Sequence, residues 1–297
     1  MWSLLFRRFA AKANTVENWK KRRLTWAITA ATAVCMLLYT GAAAASSLPR
    51  VMSLNLCGDV MLALLADRTQ IASVSYNGLN PAFSPVADQL AGLPVNRGRA
   101  EEVVAAAPDL VLISAFTQPA TKLALRQLGV RVIEMVDPSD FDAIAAQTQS
   151  IAHAIGQDAR GDETVAQMRA TLAAVDKPKQ RPLAAILHPG GYTEGRGTLA
   201  HAVLLAAGYD NLAAREGITG YAPQRLETLV AAPVDLLLAD VTIDGGAPSL
   251  SREMLNHPAL LLRFATSRRA ALPSRALTCS TPRAADAVTA LASLRAQ

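Results

Sequence analysis

The stretches Ala100-Glu-Glu-Val-Val-Ala-Ala-Ala-Pro-Asp109-Leu-Val-Leu-Ile113 and Leu226-Glu-Thr-Leu-Val-Ala-Ala-Pro-Val-Asp235-Leu-Leu-Leu238 decide the fold. Each reads as a short helix that passes through a proline turn into a buried strand. In each, a glutamate stands eight positions before the aspartate that opens the strand: Glu101 before Asp109, and Glu227 before Asp235. Two half-molecules are therefore built alike.

Working outward from the first unit, residues 50–54 and 70–74 read as short strands, with a helix over 58–65 between them and Asp59 in its first turn, where a carboxylate stabilises exposed amides. The loop 75–85 is rich in turn formers and aromatics, a poor strand and a good binding rim. A helix is expected over 84–91. After the strand 110–113, a helix over 118–128 should stop at Gly129, and 130–136 is the next strand. Strands alternating with helices at this spacing argue for a parallel sheet covered on both faces.

Residues 141–175 carry no strand signal. Phe141, Ile144, Ala145, Thr148, Ile151, Ala152 and Ile155 step by three and four along one face, with Val165, Met168 and Leu172 continuing after a break at Gly156 and Gly161. The strand–helix pattern then restarts with a strand over 183–187 and the loop His188-Pro-Gly-Gly-Tyr-Thr-Glu-Gly-Arg-Gly197, where Thr198 caps the following helix. The second repeated unit comes next. A short helix begins at His257, a weak edge strand lies over 275–278, and a helix over 283–296 ends the chain. The expected fold is α/β: two Rossmann-like lobes with central, mostly parallel sheets, joined by one long backbone helix. The lobes fall at 46–138 and 178–297 with the interlobe helix at 139–177; one more crossover within a single sheet is the plainer alternative.

The first 45 residues are organised differently. Arg7, Arg8, Lys12 and Lys20-Lys-Arg-Arg23 precede an apolar run over 24–39 and a small-residue tract, the order of a secretory signal. Cleavage after Ala45 is the preferred reading, and a membrane tether retained through 24–45 is the alternative. This segment holds seven basic residues and one acid, so the remainder carries 22 Lys+Arg against 23 Asp+Glu, whereas the full chain is at +5. The basic balance belongs to the leader, and nucleic-acid binding loses its electrostatic basis. Two cysteines remain beyond it, Cys57 and Cys279. In an oxidising compartment a disulfide between them and a pair of inert thiols both stay open.

In this order and spacing, Val51-Met-Ser-Leu-Asn-Leu-Cys-Gly-Asp59, residues 101–113, Leu128-Gly-Val-Arg-Val132, Gly197-Thr-Leu, Ala207-Gly-Tyr-Asp-Asn211 and residues 227–238 resemble the periplasmic substrate-binding proteins of the iron-siderophore and cobalamin class. These are the helical-backbone (class III) components of ABC importers. The resemblance runs over about residues 48–294. It implies a monomer in the periplasm that captures a ferric siderophore, a corrinoid or a haem-like ligand and delivers it to a permease dimer in the inner membrane. No covalent cofactor is implied, only a cargo that can carry iron or cobalt. It further implies one exposed acid on each lobe engaging permease arginines, at Glu101 and Glu227, with Glu102 as a neighbouring substitute. The registers differ by one residue, since Glu227 lies six before Pro233 and Glu101 seven before Pro108. A glutamate in a first helical turn is also favourable without any partner.

The ligand is expected between the lobes, where the loops after the strands converge. Candidates in the first lobe are Cys57, Gly58, Asp59, Tyr76, Asn77, Arg97, Arg99, Phe116 and Thr117. Those in the second are His188, Gly190, Gly191, Tyr192, Thr193, Tyr221, Asp240 and Asp244. Tyrosines cover flat apolar faces while offering a hydroxyl, and arginines supply forked donors for carboxylates. The histidines show no metal-ligand spacing, so no protein metal site is expected; axial ligation of a cargo metal by His188 is the weaker reading. An enzyme handling phosphates or nucleotides at the glycine loop is the rival from another class, but the loop lacks a Gly-Lys-Ser/Thr ending, and no Gly-x-Ser-x-Gly or His-Glu-x-x-His motif is present. A ligand sensor or scaffold with the same cleft is the third reading.

Overall fold

Along the strands of both repeated units, successive side chains enter opposite hydrophobic layers, so each sheet is covered on its two faces. A computed structural model of the protein describes residues 48–240, 253–264 and 268–295. The expected leader over 1–45 and the candidate Asp244 lie outside the described residues.

In the first lobe the elements are β1 (Val51–Ser53), α1 (Leu56–Leu65), β2 (Ile71–Ser75), α2 (Ala87–Leu90), β3 (Val95–Asn96), α3 (Ala100–Ala106), β4 (Leu110–Ser114), α4 (Pro119–Gln127) and β5 (Val132–Met135). Among the described residues five strands form a parallel sheet in the order β3-β2-β1-β4-β5. Val51, Leu110 and Leu112 point into one apolar layer, and Met52, Val111 and Ile113 into the other. That period of two, apolar on both faces, is why the run carries no polar alternation.

Two helices follow, α5 (Phe141–Ala154) and α6 (Asp158–Ala173), in place of the single long helix expected. The chain reverses at Gly156, which takes a φ of +73° that a side chain would strain. The helices run back along each other: Gln149 donates to Asp162 at 3.0 Å, Asp142 pairs with Arg169 at 3.6 Å, and a Cβ at Gly161 would overlap that of Ala152. Ile151, Ala152 and Ile155 of α5 belong to the core of the first lobe, whereas Ile144 and Ala145 belong to that of the second. One helix is thus embedded in both. Its far end is fastened to the first lobe by Gln70, which donates to the Ile155 carbonyl at 2.9 Å, and the start of α6 is fastened there by Arg160, which donates to the Leu65 carbonyl and Asp67.

The second lobe comprises β6 (Leu183–Leu187), β7 (Tyr192–Glu194), α7 (Leu199–Ala206), β8 (Asp210–Asn211), α8 (Leu212–Arg215), β9 (Tyr221–Pro223), α9 (Leu226–Ala231), β10 (Leu236–Ala239), α10 (Pro258–Arg263), β11 (Arg269–Ala271), α11 (Ser274–Leu277) and α12 (Ala284–Leu294). Its described parallel sheet has the order β11-β10-β6-β8, with β7 and β9 paired antiparallel beside it. The edge strand expected over 275–278 is instead a single helical turn, α11, and the edge position is taken by β11.

The two repeated units do the same job in each lobe. The carboxylate of Asp109 accepts from the Arg50 amide at 2.7 Å and that of Asp235 from the Leu183 amide at 2.7 Å, while their own amides donate back to the Arg50 and Leu183 carbonyls. Each aspartate therefore fixes the start of its strand against the entry of the lobe's first strand. That sets the register of the central pair β1–β4 or β6–β10.

Candidate functional site

Strand order reverses between β1 and β4 in one lobe and between β6 and β10 in the other; at such points, beyond the carboxyl ends of the strands, parallel sheets open a crevice. In the second lobe Leu187 lies opposite Ala239, so the next residue on each strand, His188 and Asp240, are neighbours at that opening. Their side chains meet: His188 Nδ1 lies 3.2 Å from Asp240 Oδ2, and the Ser274 hydroxyl donates to Asp240 Oδ1 at 2.7 Å.

The glycine loop supplies the other half of this network. Gly190 and Gly191, at φ +80° and +79°, reverse the chain into β7, whose last residue Glu194 returns beneath His188 with Oε1 2.8 Å from Nε2. A Cβ on Gly195 would fall 2.1 Å from the Ile218 carbonyl oxygen, so only glycine lets β7 close on the segment before β9. The β7–β9 pairing sets Tyr221 opposite Glu194. The loop is a tight reversal that delivers a carboxylate to a histidine, and not the phosphate cradle of the enzymatic reading.

Glu194 and Asp240 are both buried. Burial alone would lower the His188 pKa, but hydrogen bonds to Asp240 and Glu194, followed by their charges, outweigh it and push it up to about 9. His188 is therefore an imidazolium at neutral pH, with both ring nitrogens donating. In this arrangement both ring nitrogens are engaged by carboxylates. Among the described residues no group of three or more His, Cys, Asp or Glu is arranged to hold a metal ion. The Tyr221 hydroxyl is pushed up to about 12, by burial first and then by the charge of Glu194, a hydrogen bond to it and the charge of Asp137. It stays a neutral donor.

This network forms one wall of a cavity of about 460 Å³, within the range of small-molecule sites. Asp137 and Ser139, from the segment after β5, contribute a second part, and Thr278 and Ser280 a third. The parts are tied across the lobes. Ser280 donates to Asp137 at 2.5 Å, Arg275 to the Ser84 carbonyl at 3.1 Å, and Cys57 on α1 forms a disulfide with Cys279 at a Cα–Cα distance of 5.2 Å.

Of the candidate residues, His188, Tyr221 and Asp240 line this cavity. Asp59 does not reach it: the residue is 0% exposed, with its carboxylate accepting from the amide and hydroxyl of Ser75. Burial, opposed by these hydrogen bonds, pushes its pKa up to about 7. Gly58 is packed against Ser53, where a Cβ would lie 2.4 Å from the hydroxyl, and the helix N-cap is Asn55, which accepts from the Gly58 amide. Cys57 is engaged in the disulfide. Thr193 is buried, and Thr117 accepts from the Ser114 amide as a turn former. Tyr76, Asn77, Arg97, Arg99 and Phe116 follow the carboxyl ends of first-lobe strands, and Phe116 is 88% exposed, but they do not line this cavity. Gly190, Gly191 and Tyr192 shape the reversal outside it.

Asp137, Glu194, Ser274 and Ser280 were not among the candidates. Glu194 was findable as the polar residue inside the glycine loop. Asp137 and Ser280 are 143 positions apart and carry no local signal.

On the outer surface Glu101 and Glu227 sit exposed in the first turns of α3 and α9. Glu102 accepts from the Arg97 and Arg99 amides at 2.9 Å each, closing the start of its helix.

A family model described as periplasmic binding protein matches residues 51–264. A cobalamin-binding protein of Halobacterium salinarum is 30% identical over 204 residues, covering 66% of this chain and 54% of that protein, so the chain spans about half the length of the curated relatives it matches. Among solved structures, the periplasmic heme-binding protein RhuT from Roseiflexus sp. RS-1 in apo form aligns with a TM-score of 0.66 at 25% identity, over 84% of this chain and 98% of that one. The periplasmic heme-binding protein HutB of Vibrio cholerae aligns at 0.71 over 84% and 99%; at 17% identity it shares the fold alone. With two parallel-sheet lobes, a cavity at the reversal of strand order and a family match over most of its length, the chain belongs to the periplasmic binding protein family, which consists of binding proteins rather than enzymes.

Proposed function

We propose that this chain is the solute-binding component of an ABC importer, which captures a metal chelate or tetrapyrrole between its lobes and hands it to a membrane permease. One observation carries the reading: the cavity at the β6/β10 strand ends of the second lobe is also lined by Asp137 and Pro138 from the segment after β5, so an occupant would touch the end of the first lobe as well as the second. The relatives named as cobalamin- and heme-binding proteins support the cargo class. Glu101 and Glu227, one exposed acid on each lobe at equivalent positions of the repeated unit, are the proposed docking contacts. A tether through residues 24–45 is proposed for the unprocessed chain.

The test is uptake of a labelled chelate together with affinity in solution. Charge reversal at both Glu101 and Glu227 should abolish uptake and leave affinity within about twofold. Undiminished uptake by the double variant defeats the docking assignment, and the absence of any bound chelate, by mass and absorption, in protein isolated from its native envelope defeats the cargo class.

A further inference from the structure

The repeated unit turns two opposite charges outward in each lobe. Arg99 stands two residues before Glu101, and Arg225 two residues before Glu227. The correspondence extends to exposure: along 99–103 and along 225–229 the residues run exposed, half-buried, exposed, half-buried, buried, so that Val103 and Leu229 enter the two cores while the arginine and the glutamate face out. Residues two apart at the start of a helix do not face each other, and among the described residues neither guanidinium forms an ion pair. The platforms beneath these charges are also fixed alike. Helices α3 and α9 are too short to persist alone, and carbonyls at their ends, which lack a partner within the helix, are taken by an arginine from another element. Arg50 donates to the Ala106 and Ala107 carbonyls at 3.1 and 3.3 Å, and Arg263 to those of Val230 and Ala232 at 3.3 and 3.0 Å. A guanidinium there also suits the negative end of the peptide dipoles.

Resting on the importer reading, we infer that docking uses both charges of each pair: the permease dimer meets each lobe with an acid opposite Arg99 or Arg225, beside the base that receives Glu101 or Glu227. A permease surface offering bases alone would be drawn to the glutamate and repelled by the arginine next to it. A surface of alternating sign collects both attractions, and the same pair turns away surfaces of a single sign. The contact is carried by side chains, since Glu102 already occupies the Arg97 and Arg99 amides. Clasped helices present the pairs with little ordering left to do when the partner arrives.

Binding of dye-labelled protein to right-side-out inner-membrane vesicles from its native cells, with displacement by unlabelled protein, reads docking without any cargo. Replacing Arg99 and Arg225 together by alanine should weaken binding about tenfold and by glutamate about tenfold further, whereas the lysine pair, which keeps the charge, should stay within about threefold of wild type. Urea midpoints of the three variants should match that of wild type, since both arginines are exposed, and a variant that fails this control is replaced by the corresponding pair of glutamines. The sign of the effect decides. Unchanged binding by the alanine variant makes the arginines bystanders, and tighter binding makes them repulsive; either result overturns the paired contact and leaves Glu101 and Glu227 as the docking residues. Wild-type protein that shows no saturable, displaceable binding to the vesicles overturns the docking step of the importer reading as well.

Discussion

Replacing Cys57 and Cys279 together by serine tests how the cross-lobe link acts. The two residues are 222 positions apart, so the bridge closes a loop of most of the folded chain. In the chain-entropy description, opening a loop of that length releases about 18 cal/mol/K to the unfolded ensemble, or about 5 kcal/mol at 25 °C. This is a ceiling, and native bridges typically deliver about 2–4 kcal/mol. The native state should change little, since α5 in both cores, Arg275 on Ser84 and Ser280 on Asp137 still hold the lobes together. The effect therefore lies in the unfolded state, and it has a second signature. Without the bridge the unfolded chain expands and exposes more surface, so the denaturant slope should rise as the midpoint falls. Urea unfolding of the oxidised protein, the reduced protein and the double serine variant checks both quantities. A loss of less than about 1 kcal/mol with an unchanged slope would refute the reasoning, because it would mean that the loop is already closed in the unfolded chain.

Three further outcomes follow from the buried charges and the tight glycine. The folded pKa of His188, about 9, lies above its ordinary 6.5, so its contribution is complete below about pH 6.5 and is lost as pH rises through 9; the stability gap between wild type and His188→Gln should shrink by roughly 3 kcal/mol between pH 6 and pH 10 in urea titrations, and a flat gap would contradict the imidazolium network. Asp59, raised from 3.8 to about 7 by burial, favours the fold while protonated and loses that advantage as pH climbs through 7. Asp59→Asn should therefore gain on wild type by on the order of 4 kcal/mol between pH 3 and pH 8, and a gain toward acid would reverse the assignment. Gly195→Ala drives a methyl group into the Ile218 backbone and should cost about 1–3 kcal/mol by thermal or chemical unfolding; a neutral substitution would show that β7 and the segment before β9 part easily.

The lobes were legible in the sequence because strands such as Leu110–Ser114 and Leu236–Ala239 are apolar on both faces and follow a proline turn, a pattern that local chemistry alone dictates. The helical connection was legible as helix but not as a fold-back, since the apolar spacing of α5 and α6 is the same whether Gly156 continues the axis or reverses it. Strand β3 has two residues and no periodicity to detect. Residues 275–278 read as a weak strand, yet the edge of the sheet is held by β11, and Ser274–Leu277 closes into one helical turn. In the site, His188 and Asp240 could be anticipated as the residues that leave adjacent strands. Asp137 and Ser280 could not, because what joins them is the placement of two lobes. The arginines and aromatics of the first lobe have the right chemistry and follow the right strand ends; composition does not say which rim loops border a particular void.

The double anchorage of α5 has a mechanical consequence. Ile144 and Ala145 grip it in one core, Ile151, Ala152 and Ile155 in the other, and a helix clamped at both ends answers load as a torsion bar, with small elastic twists and no free swing. Under the proposed function, capture would then need little rearrangement of the two lobes. Under the same proposal, unloading would fall to an outside agent that pushes the two lobes in opposite senses against that stiffness.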